Sequence, residues 1–176
     1  MIINKNQISI ATKPCKWFAI YTRSNFEKKL YADLLKAKYE VFLPLIKETR
    51  LWSDRMKTIL VPLLPSYVFV KMEEQQLSKL YNYAGIVRLV SSGGKPCEIK
   101  EEEILFMDNI VKHGFPVCPT DGYVAGDSVR VVRGPLKGWA GKIEMVKGKS
   151  RIAFRIESLQ QCLSVEVSMG DVEKIK

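Results

Sequence analysis

The residue types that do chemistry in proteins are sparse in this sequence of 176 residues. It contains one histidine, His113, and four cysteines, no two of them closer than 21 positions: Cys15, Cys97, Cys118 and Cys162. Zinc sites need closely spaced cysteines or histidines, and a catalytic triad would have to be built around the single histidine. His113 precedes Gly114 at a predicted helix end, where both residue types favour a capping role. The sequence therefore predicts no enzyme, no metal site and no cofactor.

A second group of residues has the types that contact nucleic acid. Four cations surround one large ring within residues 47–60: Lys47, Arg50, Arg55 and Lys57 around Trp52. Trp52-Ser53-Asp54-Arg55 is typical of a turn between two extended arms, so a hairpin is expected to carry them. Cations can follow phosphates, and a ring can stack on an unpaired base with about 1–3 kcal/mol per stack. The alternative is a solvated hairpin on which the tryptophan only packs.

The charge distribution also favours a polyanionic partner. The chain has 28 basic and 19 acidic residues, a net charge of +9. Residues 1–100 hold 17 basic and 8 acidic groups, residues 101–129 hold 1 and 6, and residues 130–155 hold 8 and 1. Two basic blocks separated by an acidic one indicate two modules that face nucleic acid. A soluble protein with a basic bias is the alternative, because net charge constrains partners without proving them.

No membrane segment or secretion signal is expected. The longest uncharged stretch, residues 58–70, has 13 residues and two prolines. A spanning helix needs about 20 apolar residues. The opening residues, MIINKNQISIATK, lack an apolar signal core. We therefore expect a cytoplasmic protein without membrane contact, in which residues 1–15 form a disordered extension.

Strand and helix patterns alternate up to Gly114. Strands are predicted over residues 16–21, 39–46, 66–72 and 86–90. Ser24 and Glu27 have the spacing of a capping box, and an apolar helix face follows: Phe26, Leu30, Leu34 and Ala37. A short helix is predicted from Glu73 to a stop at Gly85. Another is predicted from Glu101 to Gly114, with a buried face of Ile104, Met107 and Ile110. Strands interleaved with helices over short crossings predict an α+β domain over residues 1–114.

The pattern changes after a predicted linker, residues 115–123, which read FPVCPTDGY. Apolar residues then recur at every second position, as at Val129 and Val131 or Ile152 and Phe154. Glycines separate these short runs, which predicts a small all-β barrel over residues 124–176. Because the period changes across the linker, residues 1–114 and 122–176 are expected to fold independently.

Residues 126–146, GDSVRVVRGPLKGWAGKIEMV, resemble the KOW motif, in which glycines allow a tight strand–loop–strand turn. By itself this motif implies only a nucleic-acid or ribonucleoprotein module. Its loop and the barrel carry one ring, Trp139, and cations suited to RNA or an acidic protein surface: Arg130, Arg133, Lys137, Lys142, Lys147, Lys149, Arg151 and Arg155. A merely soluble barrel face is the alternative.

The first domain resembles the NusG N-terminal domain. Pro62-Leu63-Leu64-Pro65-Ser66-Tyr67-Val68-Phe69-Val70 is similar to its FPGY-type strand, with Ser66 in place of the usual glycine. The glycine-rich segment 91–96, SSGGKP, and the ending VEKI at 172–175 are also similar to that family. The resemblance extends from about Lys16 to the end of the chain. It implies a four-stranded antiparallel sheet flanked by helices, followed by the KOW barrel.

This resemblance implies that the chain binds the clamp helices of bacterial RNA polymerase and reduces pausing. By motif position, Leu64 and Tyr67 would be the apolar contacts, with Phe26 near them, although Leu64 also suits an ordinary core. The hairpin residues Lys47, Arg50, Trp52, Arg55 and Lys57 would lie near the non-template DNA. The barrel could also meet nascent leader RNA, and a monomer is expected.

Two departures point to a specialised member of the family. Leu51-Trp52-Ser53-Asp54-Arg55 resembles the UpxY group, NusG paralogs that act on polysaccharide operons. Leu159-Gln160-Gln161 stands where general NusG proteins have an aromatic-Gly-Arg tip, which argues against contacts with Rho or a ribosomal protein. The expected function is therefore transcription elongation and antitermination on long operons such as those for capsular polysaccharide. The alternative is a KOW-containing ribosome-associated or RNA-binding protein.

Overall fold

A computed structural model describes residues 14–52, 55–120, 126–146 and 149–175, apart from the side chains of residues 118–120, 146 and 149. The extension predicted over residues 1–15 lies outside these ranges, except for Pro14 and Cys15.

The described residues up to Gly114 form nine strands and two α-helices. In chain order they are β1 (Lys16–Thr22), α1 (Glu27–Lys36), β2 (Glu40–Phe42), β3 (Leu45–Trp52), β4 (Arg55–Pro62), β5 (Tyr67–Met72), β6 (Ile86–Leu89), β7 (Ser91–Ser92), β8 (Lys95–Pro96), β9 (Glu98–Ile99) and α2 (Glu101–His113). A 3-10 helix, Glu74–Asn82, joins β5 to β6. Pro44 divides the single strand predicted over residues 39–46 into β2 and β3, which pair in different sheets.

The first sheet, called here the N-terminal sheet, has the order β2-β5-β1-β6, with β9 also paired to β1, and every pairing is antiparallel. Alternate residues of its central strand face two different cores. Trp17 and Ala19 belong to one buried cluster, whereas Phe18 and Ile20 belong to the other. Because both faces of β1 are covered, its sequence from Trp17 to Ile20 is continuously apolar and does not alternate with polar residues.

Leu30 and Leu34 of α1 cover one face of the sheet, together with Leu77 and Leu80 of the 3-10 helix. Leu30 and Leu34 are therefore buried as predicted, whereas Ala37 is exposed just past the end of the helix, and the predicted capping box is wrong. Phe26 is the residue that caps the helix, and it makes no side-chain cap hydrogen bond. The carboxylate of Glu27 instead accepts a hydrogen bond from the Ser66 backbone N–H at 2.8 Å.

Helix α2 covers the other face of the sheet. It runs from Glu101 to His113 and ends at Gly114, whose φ of 63° provides the left-handed stop. His113 Nδ1 lies 3.0 Å from the Asn109 carbonyl oxygen, in keeping with the predicted place at the helix end. Ile104, Met107 and Ile110 are buried as predicted.

The remaining six strands are β10 (Val117–Thr120), β11 (Ser128–Val131), β12 (Ala140–Val146), β13 (Lys149–Ile156), β14 (Gln161–Val165) and β15 (Val172–Lys174). They form one antiparallel sheet in the order β10-β14-β13-β12-β11-β15, called here the C-terminal sheet. Its first strand lies within the stretch predicted as a linker: β10 pairs with β14, opposite a strand more than 40 residues later. The connection between α2 and the C-terminal sheet is thus shorter than the sequence indicates.

The two sheets share a single buried cluster. Phe106 of α2 lies with its ring centroid 4.2 Å from that of Trp139 and 5.0 Å from that of Phe154 in β13. The Glu103 carboxylate accepts hydrogen bonds from both the backbone N–H, at 3.1 Å, and the hydroxyl of Ser158. The sequence pattern predicts that residues 1–114 and residues 122–176 fold independently. The structure places an aromatic and a polar contact between these two parts, called here the N-terminal and C-terminal halves.

Candidate functional site

Strands β3 and β4 form a two-stranded hairpin of their own, as the sequence predicts. Residues directly opposite one another include Arg50 and Lys57, Leu51 and Met56, and, nearest the turn, Trp52 and Arg55. The Lys28 ammonium group donates a hydrogen bond to the Leu60 carbonyl oxygen at 2.7 Å and ties the hairpin to α1. Opposite residues of an antiparallel pair lie on the same face, and neighbours along a strand lie on opposite faces.

Four of the five predicted nucleic-acid residues share one face of this hairpin. Trp52 and Arg55 are one cross-strand pair, and Arg50 and Lys57 are the next pair on the same face. The Lys57 ammonium nitrogen lies 4.9 Å from the Trp52 ring centroid, within cation–π distance. Lys47 pairs with Leu60. It is three residues from Arg50 along β3, an odd number, so it lies on the opposite face of the hairpin. We call the Arg50–Trp52–Arg55–Lys57 side the cationic face.

One cation of this face already has an acidic partner. Arg50 donates to the Glu48 carboxylate at 2.9 Å, and both side chains are about half exposed. The hydrogen bond from Arg50 lowers the pKa of Glu48, and the same bond raises the pKa of Arg50. Arg50 is therefore partly neutralised at neutral pH, in contrast to Arg55 and Lys57 nearer the turn.

A second group of polar-tipped rings lies at the end of β1. The ring centroids of Tyr21 and Tyr67 are 5.4 Å apart in an edge-to-face arrangement, and the Arg88 guanidinium lies 5.2 Å from the Tyr21 ring centroid. Burial, and to a lesser extent Tyr21, raises the pKa of Tyr67, so its hydroxyl stays neutral and can donate a hydrogen bond. Tyr21 and Arg88 were missed from the sequence because they come from different strands.

The other two predicted polymerase contacts are less accessible. Leu64 is 1% exposed and belongs to the shared core, which fits the core role that the sequence left open. Phe26 is half-buried and lies against Gly85, where an added Cβ would meet the ring at 2.3 Å. Tyr67 is the member of the predicted set with partial exposure beside other aromatic and cationic groups.

The segment between β4 and β5 is held in an unusual conformation. Ser66 has a φ of 66°, in the left-handed region that favours glycine, and its side chain is buried. Its N–H donates to Glu27, and its carbonyl oxygen accepts from the Thr22 N–H at 2.8 Å. These two bonds hold the turn that presents Tyr67.

In the C-terminal sheet the structure corrects one predicted contact. Arg151 is only 8% exposed, and its guanidinium donates to the Ser164 hydroxyl and carbonyl oxygens and to the Pro116 carbonyl oxygen. It therefore fastens β13 to β14 and to the segment before β10, and is not part of an exposed basic face. The exposed cations of this sheet and its loop include Arg130, Arg133, Lys137 and Lys142. Lys147 and the Lys149 side chain lie outside the described residues.

Trp139 is the ring predicted in the KOW loop. It is half-buried, and its ring packs on Phe106. A cleft of about 250 Å³ lies nearby, lined by Tyr67 and Arg88 on one side and by residues 157–160 on the other. Residues 157–160, which connect β13 to β14, therefore lie across this cleft from the Tyr67 group.

Comparison with known proteins identifies the family. The family described as "Transcription termination factor nusG" matches residues 15–108, more than half of the chain. The chain belongs to the NusG family. Among curated relatives, the transcription termination/antitermination proteins NusG of Staphylococcus aureus strains Mu50 and N315 are each 24% identical over 176 residues, which cover 91% of this chain and 96% of the relative.

A solved structure has the same fold. It is that of Thermotoga maritima NusG, described as "Domain interaction in Thermotoga maritima NusG". It superposes on this chain with a TM-score of 0.62 at 23% sequence identity, and the match covers 92% of this chain and 98% of the other. The antiparallel α+β fold expected from the resemblance is confirmed.

The family match also bears on chemistry. NusG proteins are non-enzymatic transcription factors, which confirms the prediction that the chain is not an enzyme. Among the residues that the structure describes, no group of three or more His, Cys, Asp or Glu side chains is placed to hold a metal ion. No helix in that part of the chain is long and apolar enough to cross a membrane.

Proposed function

We propose that this protein is a transcription elongation and antitermination factor that binds RNA polymerase and suppresses pausing and termination. The observation that carries the proposal is the family match over residues 15–108, which includes both the hairpin and the Tyr67 group. Relatives that cover nearly the whole chain are described as termination/antitermination proteins.

The polymerase contact is proposed to be the surface around Tyr67, directed at the clamp helices. Tyr67, Tyr21 and Arg88 combine aromatic area with polar tips and one cation. Such residues are enriched among those that dominate protein interface energies. Leu64 belongs to the buried cluster against which Tyr67 packs, and Phe26, expected near these contacts, lies half-buried against Gly85.

The cationic face is proposed to meet the non-template DNA strand in the transcription bubble. Arg55 and Lys57 supply positive charge, and Trp52 is 53% exposed, which leaves ring area for an unpaired base. Duplex DNA has stacked bases and would not use an exposed ring in this way, so single-stranded nucleic acid fits the face better.

Residues 124–176 are proposed to be a KOW domain that meets nascent leader RNA or an acidic protein surface, joined to an N-terminal domain of residues 1–114. The exposed cations Arg130, Arg133, Lys137 and Lys142 support this role. Leu159 and Gln160 of the Leu159-Gln160-Gln161 tip line the cleft beside Tyr67. The tip lacks an aromatic ring, so contacts with Rho or the ribosome are not part of the proposal.

We further propose that the protein is a specialised, UpxY-like paralog that acts in the cytoplasm as a monomer on long operons such as those for capsular polysaccharide. The support is the sequence Leu51-Trp52-Ser53-Asp54-Arg55. Its described residues Leu51, Trp52 and Arg55 lie at the end of the hairpin.

In vitro transcription with purified bacterial core RNA polymerase and sigma factor tests the proposal. The template carries the leader of a capsular polysaccharide operon followed by a terminator, and a second template carries an unrelated leader. The protein is expected to increase readthrough on the first template and to co-purify with core polymerase. Absence of binding to core polymerase, combined with binding to ribosomes, would refute the proposal in favour of a ribosome-associated protein.

A further inference from the structure

The first turn of α1 holds the segment between the hairpin and Tyr67 at two points. The Lys28 ammonium group donates a hydrogen bond to the Leu60 carbonyl oxygen of β4 at 2.7 Å. The neighbouring Glu27 carboxylate accepts a hydrogen bond from the backbone N–H of Ser66, which directly precedes Tyr67, at 2.8 Å. Two adjacent residues of one helix therefore hold both ends of the segment that joins the two proposed contact surfaces.

Helix α1 is a firm base for these contacts. Leu30 and Leu34 are 0% exposed and belong to the buried cluster on one face of the N-terminal sheet. Leu63, in the middle of the held segment, donates its backbone N–H to the Pro44 carbonyl oxygen at 2.8 Å, which joins the residue after β4 to the residue before β3. The base of the hairpin is thus attached to the core of the N-terminal half.

The rest of the hairpin is exposed beyond these attachments. In the described part of the chain, β3 and β4 pair with each other and with no other strand, and residues 49–52 and 55–58 are exposed. Arg55 lies five residues from Leu60 along β4. At about 3.4 Å per residue this distance is about 17 Å, so a tilt of about 10° at Leu60 would displace Arg55 by about 3 Å. A displacement of that size breaks a hydrogen bond.

We propose that Lys28 is a positioning residue that fixes the orientation of the cationic face relative to Tyr67. This inference rests on the proposed function, in which Tyr67 contacts RNA polymerase and the cationic face contacts the non-template strand. Because the first turn of α1 holds both surfaces, one bound molecule meets both partners without reordering the hairpin. The second of two linked contacts then forms at a high effective concentration.

The chemistry of the Lys28 contact suits this role. Its acceptor is a backbone carbonyl oxygen, so the contact does not depend on the side chain at position 60. Its donor is charged, and charge-assisted hydrogen bonds are stronger than neutral ones. The donor is thus the part of the contact that substitution can remove, and arginine retains both the charge and N–H groups.

The test compares Lys28→Ala with two controls. Lys28→Arg keeps a charged donor, and Lys36→Ala removes one positive charge from the other end of α1. For each full-length variant, affinity is measured for core RNA polymerase alone, for single-stranded DNA alone, and for polymerase assembled on a template with an open bubble.

We expect Lys28→Ala to bind core polymerase and single-stranded DNA, each alone, like the wild type. Its affinity for polymerase on the bubble template should fall about threefold or more, because the two contacts no longer fit their partners together. Lys28→Arg should recover the lost affinity, and Lys36→Ala should bind all three partners like the wild type.

Residual dipolar couplings of the backbone amides in the free protein measure the orientation of the hairpin directly. In Lys28→Ala the couplings of residues 49–52 and 55–58 should shrink relative to those of the N-terminal sheet, because the hairpin samples more orientations. The melting temperature should stay unchanged, since Lys28 is exposed.

Several outcomes would overturn the inference. Unchanged couplings, or wild-type affinity of Lys28→Ala for polymerase on the bubble template, would show that the hairpin needs no positioning by Lys28 and would leave the proposed function intact. An equal loss of affinity for single-stranded DNA alone, or an equal loss in Lys36→Ala, would make Lys28 a direct charge contact with DNA instead. Failure of the wild type to bind core polymerase would refute the proposed function and this inference with it.

Discussion

Ser66 has a side chain where its backbone conformation favours glycine, and Glu27 compensates. The left-handed conformation costs a residue with a Cβ about 1–2 kcal/mol. A buried carboxylate that accepts the Ser66 N–H offsets part of that cost, because hydrogen bonds to charged groups are stronger than neutral ones. The unusual residue and its acceptor therefore form one unit that presents Tyr67.

Glu27→Ala should lower the free energy of unfolding by about 1–3 kcal/mol, because the Ser66 N–H would be left buried without a partner. Glu27→Gln retains an acceptor oxygen and should cost less. Urea unfolding of both variants measures the difference. Equal stability of Glu27→Ala and the wild type would show that the bond is not needed to hold this turn.

Glu48 is expected to restrain nucleic-acid binding by the cationic face. Glu48→Gln should tighten binding to single-stranded DNA, and the slope of log affinity against log salt should steepen by about 0.7 if Arg50 gains one phosphate. Binding titrations at several salt concentrations measure both quantities. Arg50→Ala in the Glu48→Gln background should remove the gain, and persistence of the gain would show that Glu48 acts on other cations.

The same pair predicts a pH effect with a definite sign. The pKa of Glu48 is lowered by Arg50, so the pair stays ionised at neutral pH and is lost as pH falls through the lowered pKa of Glu48. Protonation of Glu48 frees Arg50, so single-stranded DNA binding should strengthen on acidification in the wild type and change less in Glu48→Gln.

At the scale of elements, the hairpin separates its cations by face, and this yields a matched comparison. Trp52→Ala should reduce terminator readthrough while leaving binding to core polymerase unchanged, because Trp52 lies on the cationic face. Arg55→Ala with Lys57→Ala should weaken DNA binding more at low salt than at high salt, because fewer counterions are released. Readthrough assays and DNA titrations measure the two effects.

Lys47→Ala is the control for this comparison, since Lys47 is a hairpin cation on the opposite face. It should alter DNA binding little. Normal readthrough by both the Trp52 variant and the double cation variant would instead make the hairpin a scaffold and direct attention to the cations of the C-terminal sheet.

Features with a local signal were predictable from the sequence. The end of the hairpin at Trp52 and Arg55, the buried strand β5 and the stop at Gly114 all follow from periodicity and turn chemistry over a few residues.

Features that depend on distant partners were not predictable. Arg151 reads as a surface cation, and only the approach of Ser164 and Pro116 makes it internal. Residues 117–120 contain a proline and read as linker until β14 supplies a pairing edge. Phe106 and Glu103 lie on a helix whose core-facing side was identified correctly, but nothing in the sequence shows that the C-terminal sheet also packs there.

At the scale of the whole molecule, the C-terminal half and the proposed polymerase contact compete for the surface around Tyr67. Residues 157–160 of the C-terminal half line the cleft beside Tyr67. A partner that needs all sides of Tyr67 must displace them. Its apparent affinity then equals the intrinsic affinity multiplied by the fraction of molecules in which the cleft is open.

Phe106→Ala combined with Ser158→Ala should therefore tighten binding to core polymerase, several-fold or more if about 1 kcal/mol of aromatic contact is lost. Binding titrations measure the affinity, and nitrogen–proton NMR spectra report whether the halves separate. Ser158→Ala alone is the milder variant if removal of the buried ring unfolds the protein. Separated halves with unchanged polymerase affinity would show that the contact does not limit access to Tyr67.

The pairing of β10 with β14 gives the connection between the halves two lengths. With β10 in place, only residues 114–116 lie between α2 and the C-terminal sheet, and these reach at most about 10 Å. If β10 detaches, residues 114–127 are free up to β11, and the reach rises to about 50 Å. A short linker keeps the released C-terminal sheet at a high effective concentration near the N-terminal half and favours rapid re-docking, whereas a long linker lowers that concentration. A ligand that pairs with the edge of β14 in place of β10 would therefore lengthen the linker. It would prolong the state in which the cleft beside Tyr67 is open without contacting Tyr67.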